Sequence, residues 1–370
     1  MKIKINDDFK HETLSFIKSL KKDNAFAFFP LKEGLTKEGQ SINLGFSCFA
    51  LKSFYILNEW NKLSQIESES WTNYINSFQV KNNDKFPDGS FVDPDYLKLI
   101  NQIDIYKELK RFGKRALNKN YKAKKIEIDE YIRAETKQAI SSLYQVGSQN
   151  YIKYKSKIFE SNMVLSYLNS LNWRTPWTSG AQFAGLSVFL ETQEIENKEY
   201  LLYKEQLVTF SNNLLDKDTG CYFNESVISE SELINGAMKV LTGLDWLGVP
   251  VHEPKKLIDT CLNVKPFSHG CDIVDIIYVL YMCAKETTYK RKEILEYIDD
   301  IELLISKHYQ INSGGFSYFI QKSQNYYYGL TISKAYNTAD LHGTTLLLWA
   351  YSMINFIKQS DDTELKIIKP

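Results

Sequence analysis

Two short segments carry the residue types best suited to chemistry: Ser268-His269-Gly270-Cys271-Asp272 and Ala339-Asp340-Leu341-His342-Gly343-Thr344. Imidazole and thiolate are zinc ligands, and a helix N-terminus stabilises a thiolate. His269, Cys271 and His342 therefore form a candidate Zn2+ set with an open fourth position, and Asp272 and Asp340 are placed to orient those ligands. The same residue types also serve as helix caps, and Cys271 as a small buried filler. Carboxylates offer a second chemistry, with Asp340, Asp272, Glu232 and Glu135 as candidates for acid and base work. Glu135 and Glu232 also fall where the first turn of a helix favours an acid. Arg133 and Arg174 lie near helix starts, where a cation opposes the helix dipole unless an anion intervenes, so both are candidates for gripping an anionic group. Trp177 and Tyr328, with Trp173, Trp246, Tyr326 and Tyr327, offer flat faces for stacking on a substrate, although Pro176-Trp177 also reads as a rigid helix entry. Lys239 and His308 read as surface or outer-helix residues and receive no role.

The elements that must position these groups are helical. Apolar residues recur at helical spacing nearly throughout, and hairpin signals such as Asn-Gly are almost absent. The pattern predicts twelve helical segments in six pairs: 8–22 with 42–58, 65–80 with 132–147, 155–171 with 178–191, 197–214 with 231–248, 254–263 with 271–285, and 291–309 with 339–357. Second members are apolar around most of their circumference, whereas first members carry charge on one face, such as Lys18, Lys21 and Lys22. That contrast predicts an inner ring of six apolar helices within an outer ring of six amphipathic ones, an all-α (α/α)6 toroid in a single domain. Its inner helices would all start at one end, so their unpaired N–H groups would converge on a mouth that favours anions.

The connections repeat too. Asp88-Gly89-Ser90-Phe91, Asp218-Thr219-Gly220-Cys221-Tyr222 and Gly314-Gly315-Phe316 each follow an outer helix with a glycine and then an aromatic residue that packs back on the ring. Residues 95–128 break the rhythm as a lysine-rich insertion and read as an exposed excursion.

Composition narrows the function classes. Lysine plus arginine equals aspartate plus glutamate at 45 each, so no global field gathers nucleic acid. No run approaches the length of a membrane span, and the start lacks a signal-peptide core, so the expected location is cytoplasmic. Five widely spaced cysteines fit reduced thiols better than a disulfide framework.

Gly314-Gly315-Phe316 followed by Asp340-Leu341-His342-Gly343-Thr344 at the head of an apolar helix resembles the β subunit of protein prenyltransferases, and more broadly the terpene cyclase and prenyltransferase toroids. The resemblance covers about residues 265–357 by motif. It implies zinc held by Cys271 and His342, with His269 standing where that family has aspartate, and it implies an isoprenoid substrate and a helical partner subunit. The Asp-x-Asp-Asp motif of protonating cyclases is missing, which disfavours protonation-driven cyclisation. Two other classes remain open. One is a carbohydrate-active (α/α)6 barrel using carboxylates without a metal, since Asp216 to Gly220 before an aromatic resembles loops of glycan-processing barrels. The other is a non-catalytic binding or assembly toroid.

Overall fold

The computed structural model describes residues 2–22, 26–101, 124–193, 195–226, 229–266, 268–360 and 365–370. It is mostly helical, as the periodicity predicts. Fifteen α-helices occur among the described residues, and the only named strands there are four two-residue pieces. The helices that matter for the site are the apolar ones: α3 (Leu44–Ile56), α6 (Lys124–Gln145), α9 (Pro176–Thr192), α11 (Glu230–Trp246), α13 (Gly270–Glu286) and α15 (Leu341–Lys358). They pack in cyclic order, α3 on α6, α6 on α9, α9 on α11, α11 on α13 and α13 on α15, and α15 returns to α3. At that last seam the hydroxyls of Ser53 and Thr345 lie 2.8 Å apart. Outside them stand α1 (Asp7–Ser19), α4 (Gln65–Asn76), α8 (Val164–Ser170), α10 (Asn197–Leu214), α12 (Pro254–Leu262) and α14 (Arg291–Ser306). The three short helices are α2 (Lys37–Ser41), α5 (Pro94–Asn101) and α7 (Lys157–Glu160).

The alternation of apolar and one-sided helices has a direct cause. On α3, every residue except Tyr55 is buried, because this helix has neighbours on all sides. On α14 only Ile294, Ile298, Ile301 and Ile305 are buried, a stripe at spacings of three and four facing inward. Such burial stabilises by about 25 cal/mol for each Å² of apolar surface removed from water, so the inner helices hold the largest share of the fold's stability.

Four outer helices end in the same device. After α1, α4, α10 and α14 the chain makes a short antiparallel bridge, Lys21 with Phe28, Gln79 with Phe91, Leu215 with Tyr222, and Tyr309 with Phe316. In each, the residue after the aromatic donates its N–H to the carbonyl preceding the bridge: Phe29 to Leu20, Val92 to Phe78, Phe223 to Leu214 and Ser317 to His308. The aromatics are buried. Gly89 and Gly314, which the sequence marks as corners, take φ of 78° and 75°. A Cβ at Gly89 would fall 2.5 Å from the Lys153 carbonyl oxygen, so both conformation and space require glycine.

Some boundaries differ from expectation. The 155–171 segment is two short helices, α7 and α8, because Asn162 takes a positive φ of 49° between them. Helix α6 begins eight residues before 132, inside the lysine-rich insertion. Residues 102–123 of that insertion lie outside the described residues. No helix among the described residues is long and apolar enough to cross a membrane.

Candidate functional site

The inner helices turn polar side chains toward one another in two linked clusters. The first centres on Glu135 of α6, which is 1% exposed. The Tyr327 hydroxyl, from strand β3 (Tyr326–Tyr327), donates to Glu135 Oε1 at 2.5 Å, while Oε2 has no hydrogen-bond partner. Gly45 of α3 makes room for this pair, since a Cβ there would fall 2.0 Å from the Tyr327 hydroxyl. Burial pushes the Glu135 carboxyl up to about 8, against the lowering effect of the Tyr327 bond, so it is mostly protonated at neutral pH. Tyr131 and Tyr328 complete the wall, with ring centroids 4.6 Å apart. Tyr328 is 44% exposed, yet burial is the main cause that raises its hydroxyl's pKa.

The second cluster is built on α11, α13 and α15. His342 stacks on Phe49, centroids 4.3 Å apart, and tilts against Tyr318 at 5.2 Å. Desolvation, then the Lys239 charge, lowers its pKa to about 3, so the ring is neutral. The Tyr318 hydroxyl bonds to Cys271, whose thiol is nevertheless pushed up to about 12 by burial and by Asp275. Lys239 Nζ lies 3.8 Å from Asp275 Oδ1, and burial raises Asp275 to about 7 against that ammonium's pull.

The expected zinc set is not brought together. Among the described residues no group of three or more His, Cys, Asp or Glu is placed to hold a metal ion. His269 is exposed and faces outward, its Nδ1 3.4 Å from Asp272 Oδ2 and its ring 5.0 Å from Phe319. His342 is held between rings, and Cys271 is a part-buried thiol bonded to the Tyr318 hydroxyl. Desolvation and the Asp275 charge hold the Cys271 thiol up at about 12, against the thiolate expected at a helix N-terminus. Among the described residues His269, Cys271 and His342 therefore do not form a zinc centre.

The other candidates fall into distinct roles. Asp340 is the N-cap of α15: Oδ1 accepts from Gly343 N at 2.7 Å, and Oδ2 from Tyr318 N at 2.7 Å and Gln324 N at 2.9 Å. Both oxygens are committed to backbone, so Asp340 ties the loop before the helix to its first turn. Asp272 Oδ1 accepts from Asn235 Nδ2 at 2.6 Å, joining α13 to α11. Glu232 Oε2 accepts from Trp177 N at 3.1 Å and so caps α9, whose own Thr175 makes no side-chain cap. Trp177 is 37% exposed. Arg174 is exposed and pairs with Glu225 at 3.8 Å on the surface. Arg133 is half-buried and donates to Gln182 at 3.1 Å and to the Tyr167 hydroxyl at 3.1 Å, with no carboxylate partner among the described residues.

Three lysines went unrecognised in the sequence. Lys52 of α3 is buried and donates to Ser141 Oγ at 3.2 Å, and desolvation lowers it to about 8. Lys239 belongs to the second cluster and is not a surface residue, and Lys137 of α6 is strongly desolvated beside both. A lone lysine in an otherwise apolar helix was the available signal, most plainly in Leu44-Gly-Phe-Ser-Cys-Phe-Ala-Leu-Lys52. His308, also read as peripheral, is fully buried and bonds through Nδ1 to the Ser317 carbonyl at 2.8 Å.

No protein-family model matches the chain, and no curated protein does. One solved structure that matches is a polysaccharide lyase, 11% identical, aligned over 95% of this chain and 98% of that chain with a TM-score of 0.44. That likeness is too loose to carry an argument.

Proposed function

We propose that the chain is an (α/α)6 toroid that binds and processes a carbohydrate in its central chamber, with Glu135 as proton donor. One observation carries the reading: a carboxyl kept neutral near pH 7 by burial, bonded through one oxygen to Tyr327 and unpartnered at the other, with Tyr131 and Tyr328 packed against each other nearby. A neutral acid can protonate a glycosidic oxygen, and aromatic faces stack on sugar rings. The cyclic packing of α3, α6, α9, α11, α13 and α15 supports the toroid.

The isoprenoid reading draws less support. The zinc ligands that the prenyltransferase resemblance implies do not come together.

The test is to incubate the protein with neutral and acidic oligosaccharides and identify products by mass spectrometry, beside the isosteric Glu135→Gln variant. The expected result is cleavage by the wild type and a loss of about 100-fold or more in the variant, the usual worth of a general acid. Full activity in Glu135→Gln, or turnover of a prenyl diphosphate in place of any sugar, would overturn it.

A further inference from the structure

On the outer wall, between α8 and α10, lies a cleft of about 250 Å³. Phe210 and Leu214 of α10, both buried, form its floor, with Leu165 of α8 beside them. Thr209 and Asn213 stand one turn apart on α10, Asn169 faces them from α8, and Asn224 closes one side from the segment after the Leu215–Tyr222 bridge. These four polar residues are exposed, and none of their side chains has a hydrogen-bond partner among the described residues.

Trp173 holds the walls in place. Its indole N–H donates to the Leu168 carbonyl of α8 at 2.8 Å, its ring packs on Phe210 with centroids 5.4 Å apart, and its carbonyl accepts from Asn224 N at 3.4 Å. Phe223 N, donating to the Leu214 carbonyl at 3.1 Å, ties the same segment to the end of α10. The cleft is therefore built before any ligand arrives, so little ordering cost falls on binding.

The lining selects the chemistry. No ionisable side chain faces the cleft, and Arg174 and Glu225, next to Trp173 and Asn224 in sequence, pair with each other at 3.8 Å. Each carboxamide offers both a donor and an acceptor, and the threonine hydroxyl offers the same, which matches adjacent hydroxyls that also do both. An apolar floor under a neutral, two-way hydrogen-bonding rim suits a ring with a C–H face and a hydroxyl edge. The volume lies just below the roughly 300–1,000 Å³ of pockets that enclose drug-sized ligands, which fits a single ring.

We propose that this cleft seats one neutral sugar ring, held by Asn169, Asn213, Asn224 and Thr209 over Phe210 and Leu214. The site is on the outside of the helix ring and rests neither on the central chamber nor on Glu135.

Protein labelled with 15N at asparagine, titrated with methyl glucoside, methyl galactoside and methyl mannoside, tests it by NMR of the side-chain amides. At least one of these hexosides shifts the Asn169, Asn213 and Asn224 signals together and saturably, and glucuronate and glucosamine do so more weakly. Asn169→Ala and Asn213→Ala, read on the signals that remain, each weaken binding by about three- to tenfold, the order of one lost hydrogen bond. Both positions are exposed on helices, where alanine does not threaten folding. Asn212→Ala, next to the cleft but outside its lining, leaves binding unchanged. No saturable shift with any of the three hexosides, equal binding of the charged sugars, or unchanged affinity in folded Asn169→Ala and Asn213→Ala overturns the proposal. Glycan cleavage is scored separately: shifts at these amides without any turnover uphold the cleft while the reading of Glu135 fails, and turnover without shifts does the reverse.

Discussion

The neutral imidazole of His342 makes a quantitative prediction about acid stability. Its folded-state pKa is depressed from 6.5 to about 3 by desolvation and by Lys239, and its Nδ1 has no partner. A depressed folded pKa means a contribution present above the unfolded value and lost as pH falls toward the folded one. Between pH 7 and pH 5 the unfolded chain takes up the proton and the folded chain does not, which costs about 2 kcal/mol of stability. Glu135, Asp275 and Asp340 run the other way: their folded pKa values are raised, so their contributions are present in acid and lost as pH rises through those values. A wild-type curve alone therefore mixes opposing effects, and the His342→Phe variant isolates one of them. Phenylalanine keeps the stack between Phe49 and Tyr318 and removes only the titration. Urea unfolding of both proteins at the two pH values should show the stability difference moving by about 2 kcal/mol in favour of the variant at pH 5. A difference that stays constant to within about 0.5 kcal/mol would refute the claim that this ring is neutral and desolvated.

Two further substitutions probe the scaffold. Gly45→Ala places a methyl group 2.0 Å from the Tyr327 hydroxyl, so it should cost about 1–3 kcal/mol in urea unfolding and displace the tyrosine from Glu135. An unchanged midpoint would show that α3 and β3 are not in contact there. Asp340→Ala strips acceptors from the N–H groups of Gly343, Tyr318 and Gln324 and should cost about 3 kcal/mol or more; a loss below about 1 kcal/mol would deny it the capping role.

Helix pairs were legible because burial on all sides and burial on one side leave different traces. The nearly uniform apolar run of α3 and the isoleucine stripe of α14 are two solutions to the same packing problem, and each shows in the residues alone. The glycine corners were legible for the same kind of reason: a left-handed backbone position followed by an aromatic is a local rule. What stayed hidden depends on which residues of distant helices face each other. His269 and Cys271 stand two apart in sequence, yet one faces solvent and the other a desolvated interior, so spacing could not establish a metal site. Asp340 and Glu232 carry chemistry-bearing groups that backbone N–H donors consume. Lys239 reads as a surface residue until α13 brings Asp275 beside it. Of the residues singled out in the sequence, Glu135, Arg133, Tyr328, Cys271 and His342 fall in or beside the polar interior, while Arg174 and His269 stand on the surface.

The proposed arrangement depends on α15 returning to α3, which brings His342 beside Phe49. The seam offers its own test, because Ser53 and Thr345 meet there with oxygens 2.8 Å apart. Cysteines at both positions would stand within reach of a disulfide. Oxidation of the folded Ser53→Cys, Thr345→Cys protein, followed by peptide mass mapping, should find the two joined within one chain. Free thiols at both positions, in protein shown to be folded, would contradict a closed ring and the chamber with it.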